Sequence, residues 1–221
     1  MGHVIAIDGP AGAGKSTIAR RLADKLGYVY IDTGAMYRAI AMWALRSGIA
    51  LDDAQKLEQL ALAADIELLP GRRIILNGED VSDAIRAPEI AVAASRVAAV
   101  GPVRRALVHK QREIGEKSNV VMEGRDIGTV VFPSARVKIF LDANHEERVR
   151  RRSAEQPDML PGDLAAQISE RDQRDRQRAE SPLVQAPDAV YLDSTALSAE
   201  EVEEQILKLV RERISNGKAA W

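Results

Sequence analysis

The segment from Gly9 to Thr17 has the residue types and spacing of a phosphate-binding loop. It reads GPAGAGKST and matches the pattern G-x-x-x-x-G-K-[ST]. In that pattern the glycines let backbone N–H groups converge on phosphate oxygens, and the lysine reaches the β and γ phosphates. Lys15 would be that lysine, and the Ser16 hydroxyl could bind Mg²⁺. We therefore predict that a nucleoside triphosphate contacts the whole segment: Gly9, Pro10, Ala11, Gly12, Ala13, Gly14, Lys15, Ser16 and Thr17.

The sequence around this segment narrows the range of functions that the segment could have. A β-branched run precedes it and an apolar helical period follows it, which favours a phosphate loop over a glycine-rich turn that matches by chance. GTPases, motors and kinases share such loops, but the sequence lacks the Asn-Lys-x-Asp motif with which GTPases read their base. Other residues must therefore bind a second substrate.

Two segments that follow predicted strands carry side chains suited to that substrate. Asp32–Arg38 reads DTGAMYR, so a hydroxyl at Thr33 precedes an aromatic ring and a cation. These groups could hold a nucleotide, or Thr33 could be an ordinary helix N-cap with a packed tyrosine beside it. Glu123–Asp126 reads EGRD. Charged groups at the end of a buried strand cost stability unless they are paired or do chemistry, so we favour a functional role for them.

Two charged runs further along the chain present a similar choice. Glu170–Arg178 reads ERDQRDRQR and could be a solvated helix held by ion pairs. At about 100° per residue, however, Arg171, Asp175 and Arg178 fall within roughly 60° of one another on one helix face, where they could bind phosphates and a ribose hydroxyl. The run Glu146–Arg152 contains four more arginines, which could bind phosphate or could lie on a solvated helix face: Arg148, Arg150, Arg151 and Arg152.

The elements that must position these residues alternate between strand and helix. Short β-branched and apolar runs predict five strands: Val4–Asp8, Tyr28–Asp32, Asn119–Glu123, Val137–Leu141 and Ala189–Leu192. Helical spacing of apolar residues predicts the main helices: Lys15–Leu26, Val103–Glu116, His145–Arg152, Asp163–Glu180 and Ala199–Ile214. This alternation predicts an α/β fold with a doubly wound parallel sheet of five strands.

Two segments interrupt the alternation. Ile66–Leu69 and Arg73–Leu76 predict a hairpin inside an otherwise helical region, which indicates an inserted subdomain over residues 36–100. Gln156–Gly162 contains two prolines and a glycine between charged helices. That composition predicts a mobile loop that closes over a site.

Composition excludes several classes of protein. The 31 basic and 33 acidic side chains give a net charge of −2, which argues against binding nucleic acid through bulk positive charge. The sequence has no cysteine, so disulfide scaffolds, thiolate zinc sites and thiol catalysis are excluded, and we expect a cytosolic location. The longest run without a charged residue, nine residues from Ile127 to Ala135, is too short to span a membrane.

Taken together, the motifs resemble those of the bacterial cytidylate kinase family, a group of P-loop nucleoside monophosphate kinases. The resemblance runs nearly end to end through GPAGAGKST, DTGAMYR, ASRVAAVGPVRRAL, EGRDIGTVVFP, VKIFLDA, ERDQRDRQRAESPLV and LDST. It implies a core, a monophosphate-binding insertion and a short lid. We expect the core at residues 1–35, 101–149 and 171–221, the insertion at residues 36–100 and the lid at residues 150–170.

The resemblance also implies the activity and the residues that carry it. The γ-phosphoryl group of ATP would pass to CMP or dCMP with Mg²⁺ as cofactor. Lys15, Arg125 and Arg178 would be catalytic, Ser16 would bind the metal ion, and Glu123 would orient its water shell. Thr33, Tyr37 and Arg38 would line the CMP site, Ser95, Arg104 and Asp126 would read the cytosine edge, Arg125 and Arg178 would clamp phosphate, and Arg171 and Asp175 would hold the ribose.

Two rival functions stay open on the sequence alone. The chain could be a P-loop kinase that acts on UMP or another small acceptor. It could instead be a nucleotide-binding regulatory module without turnover, although intact Lys15, Ser16, Arg125 and Arg178 argue against that. We expect a monomer that binds the small molecules ATP and CMP or dCMP, with no nucleic-acid or membrane partner.

Overall fold

A parallel sheet of five strands forms the centre of the computed structural model, which describes residues 2–215. Three further strands pair in a separate antiparallel sheet. In chain order the strands are β1 (Val4–Asp8), β2 (Val29–Asp32), β3 (Ile66–Leu69), β4 (Arg73–Leu76), β5 (Glu79–Asp80), β6 (Val120–Gly124), β7 (Val137–Asp142) and β8 (Val190–Asp193). The helices are α1 (Lys15–Leu26), α2 (Thr33–Arg46), α3 (Ala54–Ala63), α4 (Pro88–Val97), α5 (Gly101–Lys117), α6 (His145–Glu155), α7 (Pro161–Gln177) and α8 (Ala199–Ser215). Short helical turns cover Pro70–Arg72, Ala84–Arg86 and Ile127–Val131.

The order of the central sheet is β2-β6-β1-β7-β8, and every neighbouring pair is parallel. β6 lies between β1 and β2. The two strands that α1 connects are therefore parallel without being adjacent. β1, β6 and β7 are buried along nearly their whole length. Strands covered on both faces are continuous apolar runs, which explains why the sequence shows no alternation there.

Helices cover both faces of this sheet. On one face, α1 and α8 pack Ile18, Leu22 and Ile206 against the strands. On the other face, Val108 from α5 and Ile127 pack against β1 and β6. The predicted doubly wound α/β fold is therefore confirmed. Within residues 2–215, no helix is both long enough and apolar enough to cross a lipid bilayer.

The predicted hairpin is also confirmed, as part of a slightly larger sheet. β3 pairs antiparallel with β4, and β5 adds a third strand that the sequence did not predict. Glu79 and Asp80 of β5 are both exposed, so they lack the apolar alternation that predicts a strand. This sheet shares a hydrophobic cluster with α2, α3, α4 and α5.

The division into core, insertion and lid stays a prediction, and its limits at residues 1 and 221 lie outside the described residues.

Both predicted ends of α7 are wrong. The helix begins at Pro161, so Pro161 and Gly162 form its first turn instead of a mobile loop. Proline suits this first position because the N–H that it lacks would have no helical partner there. The helix ends at Gln177, and Arg178 has an extended ψ of 140°. Arg178 therefore reaches the site from the segment after the helix, and the predicted continuation to Glu180 does not form.

Candidate functional site

The segment between β1 and α1 is a loop whose shape requires its glycines. Gly9, Gly12 and Gly14 have φ values of +147°, +78° and +89°, which L side chains rarely adopt. A Cβ atom on Gly9 would lie 1.9 Å from the Leu141 carbonyl oxygen. Gly14 is also the N-cap of α1. The loop thus opens at a helix N-terminus, where backbone N–H groups and the helix dipole favour an anion.

Side chains from α6 and α7 hold the apex of this loop. The Ala11 N–H donates to Asp172 Oδ1 at 3.2 Å, and the Ala11 carbonyl accepts a hydrogen bond from Arg148 Nη1 at 3.1 Å. Arg148 also pairs with Asp172, and both side chains are buried. Arg151 donates to the Ala13 carbonyl at 3.2 Å. Arg148 and Arg151 are thus bound to the loop, and a solvated-face interpretation is wrong for them.

The other two arginines of α6 lie nearer the surface. Arg150 pairs with Glu147 at 2.7 Å and is exposed. Arg152 pairs with Glu155 at 2.8 Å and is partly exposed. The solvated-face interpretation therefore holds for Arg150.

Lys15 is buried under the loop, with only 6% of the residue exposed. Its Nζ atom donates to the Pro10 carbonyl at 2.6 Å. Burial and the nearby Arg125 lower the pKa of Lys15 to about 7, while the Glu123 carboxylate opposes that shift. The ammonium group thus lies at the loop, near a cation and a carboxylate, in a position from which it can bind phosphate.

Ser16 and Glu123 offer oxygen atoms to a divalent cation. The Ser16 side chain is exposed at the start of α1, and the buried Glu123 carboxylate accepts a hydrogen bond from the Tyr30 hydroxyl at 2.5 Å. Burial and the nearby Asp32 raise the pKa of Glu123, and Lys15 opposes that shift. Within residues 2–215, no cluster of three or more His, Cys, Asp or Glu side chains could hold a metal ion alone. Mg²⁺ commonly takes one or two protein oxygens together with waters and substrate phosphates, so these residues fit it.

At the start of α2, Asp32 and not Thr33 caps the helix. The Asp32 carboxylate accepts a hydrogen bond from the Ala35 N–H at 3.0 Å. The N-cap interpretation of Thr33 is therefore wrong, because aspartate caps a helix as well as threonine does and comes first here. The Thr33 hydroxyl donates instead to the Glu123 carbonyl at 2.7 Å, and Arg38 pairs with Asp32 at 2.6 Å. Thr33 thus joins α2 to the end of β6.

Arg104, Asp126 and Arg178 meet in a buried cluster. Arg104 Nη2 pairs with Asp126 Oδ2 at 2.6 Å, and Arg104 Nη1 donates to the Ala98 carbonyl at 3.0 Å. Arg178 Nη2 lies 3.8 Å from Asp126 Oδ1. The Arg104 guanidinium lies 5.3 Å from the centre of the Tyr37 ring, which is a cation–π arrangement. The tyrosine is therefore packed, as one of the two interpretations of that segment predicts, and it also borders the charged cluster.

Asp175 extends this cluster. Arg125 Nε donates to Asp175 Oδ2 at 2.8 Å, and Arg178 Nη1 lies 3.5 Å from Asp175 Oδ1. Arg178 Nε also donates to the Ser181 carbonyl. Burial alone would raise the pKa of Asp175, but attraction to Arg125 and the other arginines outweighs it and lowers that pKa. Arg125 and Arg178, the two arginines that are predicted to be catalytic, therefore both contact the Asp175 carboxylate.

Arg171 lies beside this cluster, and its buried Nε atom has no hydrogen-bond partner among the described residues. Burial and the nearby Arg125 lower the pKa of Arg171 to about 10. Arg38 and Arg152 add to that lowering, and Asp175 opposes it. Several cations thus converge on a region that a phosphate anion would neutralise.

Ser95 on α4 is buried, and its hydroxyl already accepts one hydrogen bond. The donor is Arg174 Nη1 on α7, which also pairs with Glu170. The hydroxyl can still donate its own hydrogen to a ligand. Sequence reasoning missed Arg174 because nothing in its charged run distinguishes it from its neighbours.

Sequence reasoning also missed two carboxylates near the loop. Asp172 lies within the same charged run, and its contact with Ala11 depends on how α7 packs. Asp8 could have been found, because it lies at the end of buried strand β1 as Glu123 lies near the end of buried strand β6, and a buried charged group needs a partner in both places.

Comparison with known proteins identifies one family. The family model described as cytidylate kinase matches residues 5–212. A cytidylate kinase of Solibacter usitatus is 65% identical, over 97% of this chain and 95% of that protein. One from Geobacter sp. (strain M21) is 48% identical, over 98% of this chain and 96% of that protein. A solved gluconokinase structure from Sinorhizobium meliloti has the same fold, with a TM-score of 0.51 and 16% identity over 100% of this chain and 98% of that one.

Proposed function

The chain belongs to the cytidylate kinase family, and we propose that its site transfers the γ-phosphoryl group of ATP reversibly to CMP or dCMP, giving ADP and CDP or dCDP. One observation supports this assignment for the chain itself, a buried set of linked charges beside an intact phosphate loop. Buried charges are costly unless they are paired or bind substrate. The set comprises Arg104, Asp126, Arg178, Asp175 and Arg125.

On the donor side, the backbone N–H groups of the loop and Lys15 would hold the ATP phosphates. The pKa of Lys15 is about 7 without an anion, and phosphate charge would raise that pKa and favour the ammonium form. Nζ would exchange the Pro10 carbonyl for phosphate oxygens. Lys15 would then neutralise charge on the phosphoryl group as it is transferred.

The Ser16 hydroxyl would hold Mg²⁺, with Glu123 orienting water beside it. When bound, the metal ion supplies charge neutralisation on the phosphate oxygens. The Tyr30 hydroxyl donates to one oxygen of Glu123, and the other oxygen of that carboxylate could accept a hydrogen bond from a water molecule.

On the acceptor side, Arg125 and Arg178 would clamp the phosphate of CMP. That phosphate is already ionised near neutral pH, so the attacking oxygen needs positioning and charge compensation more than a strong base. Asp175 bridges the two guanidinium groups and aligns them. Arg125 is also close enough to lower the pKa of Lys15, which supports a clamp next to the donor loop, as in-line transfer would require.

Asp126, Arg104 and Ser95 would read the cytosine base. A carboxylate accepts a hydrogen bond from the amino group of cytosine and repels the carbonyl that uracil carries at the same ring position. Arg104 occupies Oδ2 of Asp126, so Oδ1 is the atom left to accept from the base. Ser95 can donate its hydroxyl hydrogen.

The remaining predicted contacts concern the sugar and the walls of the site. Arg171 and Asp175 would hold the ribose, and Thr33, Tyr37 and Arg38 would line the CMP pocket. The buried Tyr37 hydroxyl has no hydrogen-bond partner among the described residues. It is therefore able to bond to a ligand or to a water molecule within that pocket.

An acceptor panel tests the function. We expect ADP release from ATP with CMP and dCMP, and much slower release with UMP, AMP and GMP. Faster turnover with UMP would favour the rival pyrimidine kinase. Absence of turnover with all five acceptors, in protein that still binds ATP, would favour the regulatory module. A cytosolic location and a monomeric state stay predictions.

Replacing Asp126 with asparagine is expected to narrow the ratio of kcat/KM for CMP over UMP. The asparagine carbonyl can still accept from cytosine, but its amide also offers a donor to uracil. A complementary hydrogen bond in a buried site is worth about 1–3 kcal/mol, which is roughly five- to 150-fold in this ratio. Steady-state kinetics with both nucleotides measure it, and an unchanged ratio would mean that Asp126 does not read the base.

A further inference from the structure

Asp8 is a buried carboxylate that none of the steps above uses. It is the last residue of β1 and is 5% exposed. Its Oδ1 accepts a hydrogen bond from the Ile127 N–H at 2.8 Å, and its Oδ2 accepts one from the Gly128 N–H at 2.7 Å. These are the first two N–H groups of the turn Ile127–Val131, and such groups have no partner within their own turn.

Asp126 stands at the N-cap of that turn but does not cap it. Aspartate is among the residues that most often cap through the side chain. Here the Asp126 side chain makes no capping bond, and only its carbonyl serves the turn, accepting from Val130 and Val131 at 2.8 and 3.1 Å. Its carboxylate faces Arg104 and Arg178 instead.

We propose that Asp8 caps the Ile127–Val131 turn in place of Asp126, and so keeps the Asp126 carboxylate available to Arg104, Arg178 and the cytosine base. Asp8 is then a positioning residue that determines specificity from the strand leading into the phosphate loop. The effect on specificity rests on the proposed function, because it requires that Asp126 reads the base.

Packing around the contact leaves the turn little freedom to move. A Cβ atom on Gly128 would lie 3.3 Å from Asp8 Oδ2 and 3.1 Å from Lys138 Cδ, so the turn sits closely against β1 and β7. Two backbone donors on one carboxylate also offset part of the cost of burying its charge. The contact therefore joins the end of β1 firmly to the residues after β6.

Two charged groups act on the Asp8 carboxylate, and a third lies nearby. Burial and the nearby Asp126 raise the pKa of Asp8 to about 6, and its two backbone hydrogen bonds and Lys15 on α1 oppose that rise. From β7, the stem of Lys138 passes close by, but its Nζ atom is directed to the Pro133 carbonyl and to Asp188. At neutral pH the carboxylate is mostly ionised and can accept both bonds.

The test replaces Asp8 with asparagine, which keeps the shape but leaves one acceptor oxygen for two N–H groups. Asp126 is then drawn toward its own turn, so we expect the ratio of kcat/KM for CMP over UMP to narrow by roughly tenfold. The KM for ATP should change by less than about twofold, since the phosphate loop keeps its contacts. A structural defect without a bearing on Asp126 would lower both kcat/KM values alike.

Asp142→Asn is the matched control. Asp142 ends β7, the strand on the other side of β1, and its carboxylate accepts a hydrogen bond from the Ala143 N–H at 2.8 Å. This variant should keep the wild-type ratio. A ratio that narrows equally in both variants would overturn a specific role for Asp8.

Amide hydrogen exchange gives a second readout that needs no substrate. In Asp8→Asn, the Ile127 and Gly128 amides should exchange faster than in wild type. Unchanged protection of both amides overturns the proposal, as does an unchanged ratio in Asp8→Asn when Asp126→Asn narrows it. If Asp126→Asn leaves the ratio unchanged, base reading by Asp126 is what fails, and faster exchange with a raised KM for CMP in Asp8→Asn still supports Asp8 as the cap.

The pH dependence of the ratio adds an independent check. Below about pH 6 the protonated Asp8 loses one acceptor, so the wild-type preference for CMP should weaken as pH falls from 7.5 to 5.5. Taking the ratio cancels the titration of the substrate phosphate and of Lys15, which affect both nucleotides alike. Asp8→Asn should show a flat ratio over this range, and a slope equal to that of wild type would count against the proposal.

Discussion

Lys15→Ala is expected to lower kcat about a thousandfold, the order of the loss when one transition-state charge contact is removed. The effect should fall on the chemical step, because Lys15 faces the phosphate loop while the groups assigned to CMP are Arg125, Arg178 and Asp126. The KM for CMP should therefore change little. Steady-state kinetics on the purified variant measure both quantities.

The stability of this variant separates chemistry from folding. The pKa of Lys15 in the folded protein, about 7, is below its ordinary value, so burial of the charged lysine opposes folding at neutral pH. Removing it should leave Tm unchanged or raise it, even though the bond to Pro10 is lost. Lys15→Met, which retains most of the apolar stem, should lose activity to the same extent. Near-normal turnover in either variant would show that the loop does not act through this lysine.

Arg178→Ala is expected to lower kcat/KM for CMP by about a hundredfold, the scale of loss when a reacting group is misplaced by about 1 Å. Both parameters should change, since a phosphate clamp contributes to binding and to alignment. Arg178 is 8% exposed and lies within ion-pair distance of Asp126 and Asp175. Its removal should not release either carboxylate, because Arg104 still holds Asp126 and Arg125 still holds Asp175.

Arg176→Ala provides the comparison for this variant. Arg176 lies on α7, two residues before Arg178, and is exposed. A surface substitution of this kind is worth within about ±0.5 kcal/mol, so its kinetics should stay near wild type. Equal kinetics for Arg176→Ala and Arg178→Ala would favour the alternative interpretation, in which the segment Glu170–Arg178 is a solvated helix held by ion pairs.

The parts of the site that the sequence predicts are those whose requirements are local. The phosphate loop is recognisable because a positive φ at Gly9, Gly12 and Gly14 is needed within a few consecutive residues, between a strand and a helix. The five strands and the hairpin follow in the same way from apolar runs bounded by turns. Each depends on neighbours in the chain, which a single sequence displays.

Prediction from the sequence fails where packing between distant segments determines the structure. It also fails where two neighbouring residues are equally suited to the same role. The contacts of Ala11 with Arg148 and Asp172 join three separate parts of the chain. No local sequence pattern around these residues predicts the contacts. At the start of α2, Asp32 and Thr33 are both good caps, and periodicity cannot choose between them. The end of α7 depends on a hydrogen bond from the Leu183 N–H to the Asp175 carbonyl, made by a chain that folds back.

Chain synthesis produces β1 long before either of its partners in the sheet. Val4 pairs with Val120 of β6 and Ile5 pairs with Val137 of β7, so more than half of the chain must exist before the central strand has a neighbour. At about 5–20 residues per second, that delay is on the order of ten seconds on the ribosome. The helices and small sheet between residues 33 and 100 share one hydrophobic cluster with α5, which is synthesised before β6, so they can pack during that time. Pairing across such separations is slow, so the nucleotide-binding edge of the sheet is completed late in folding.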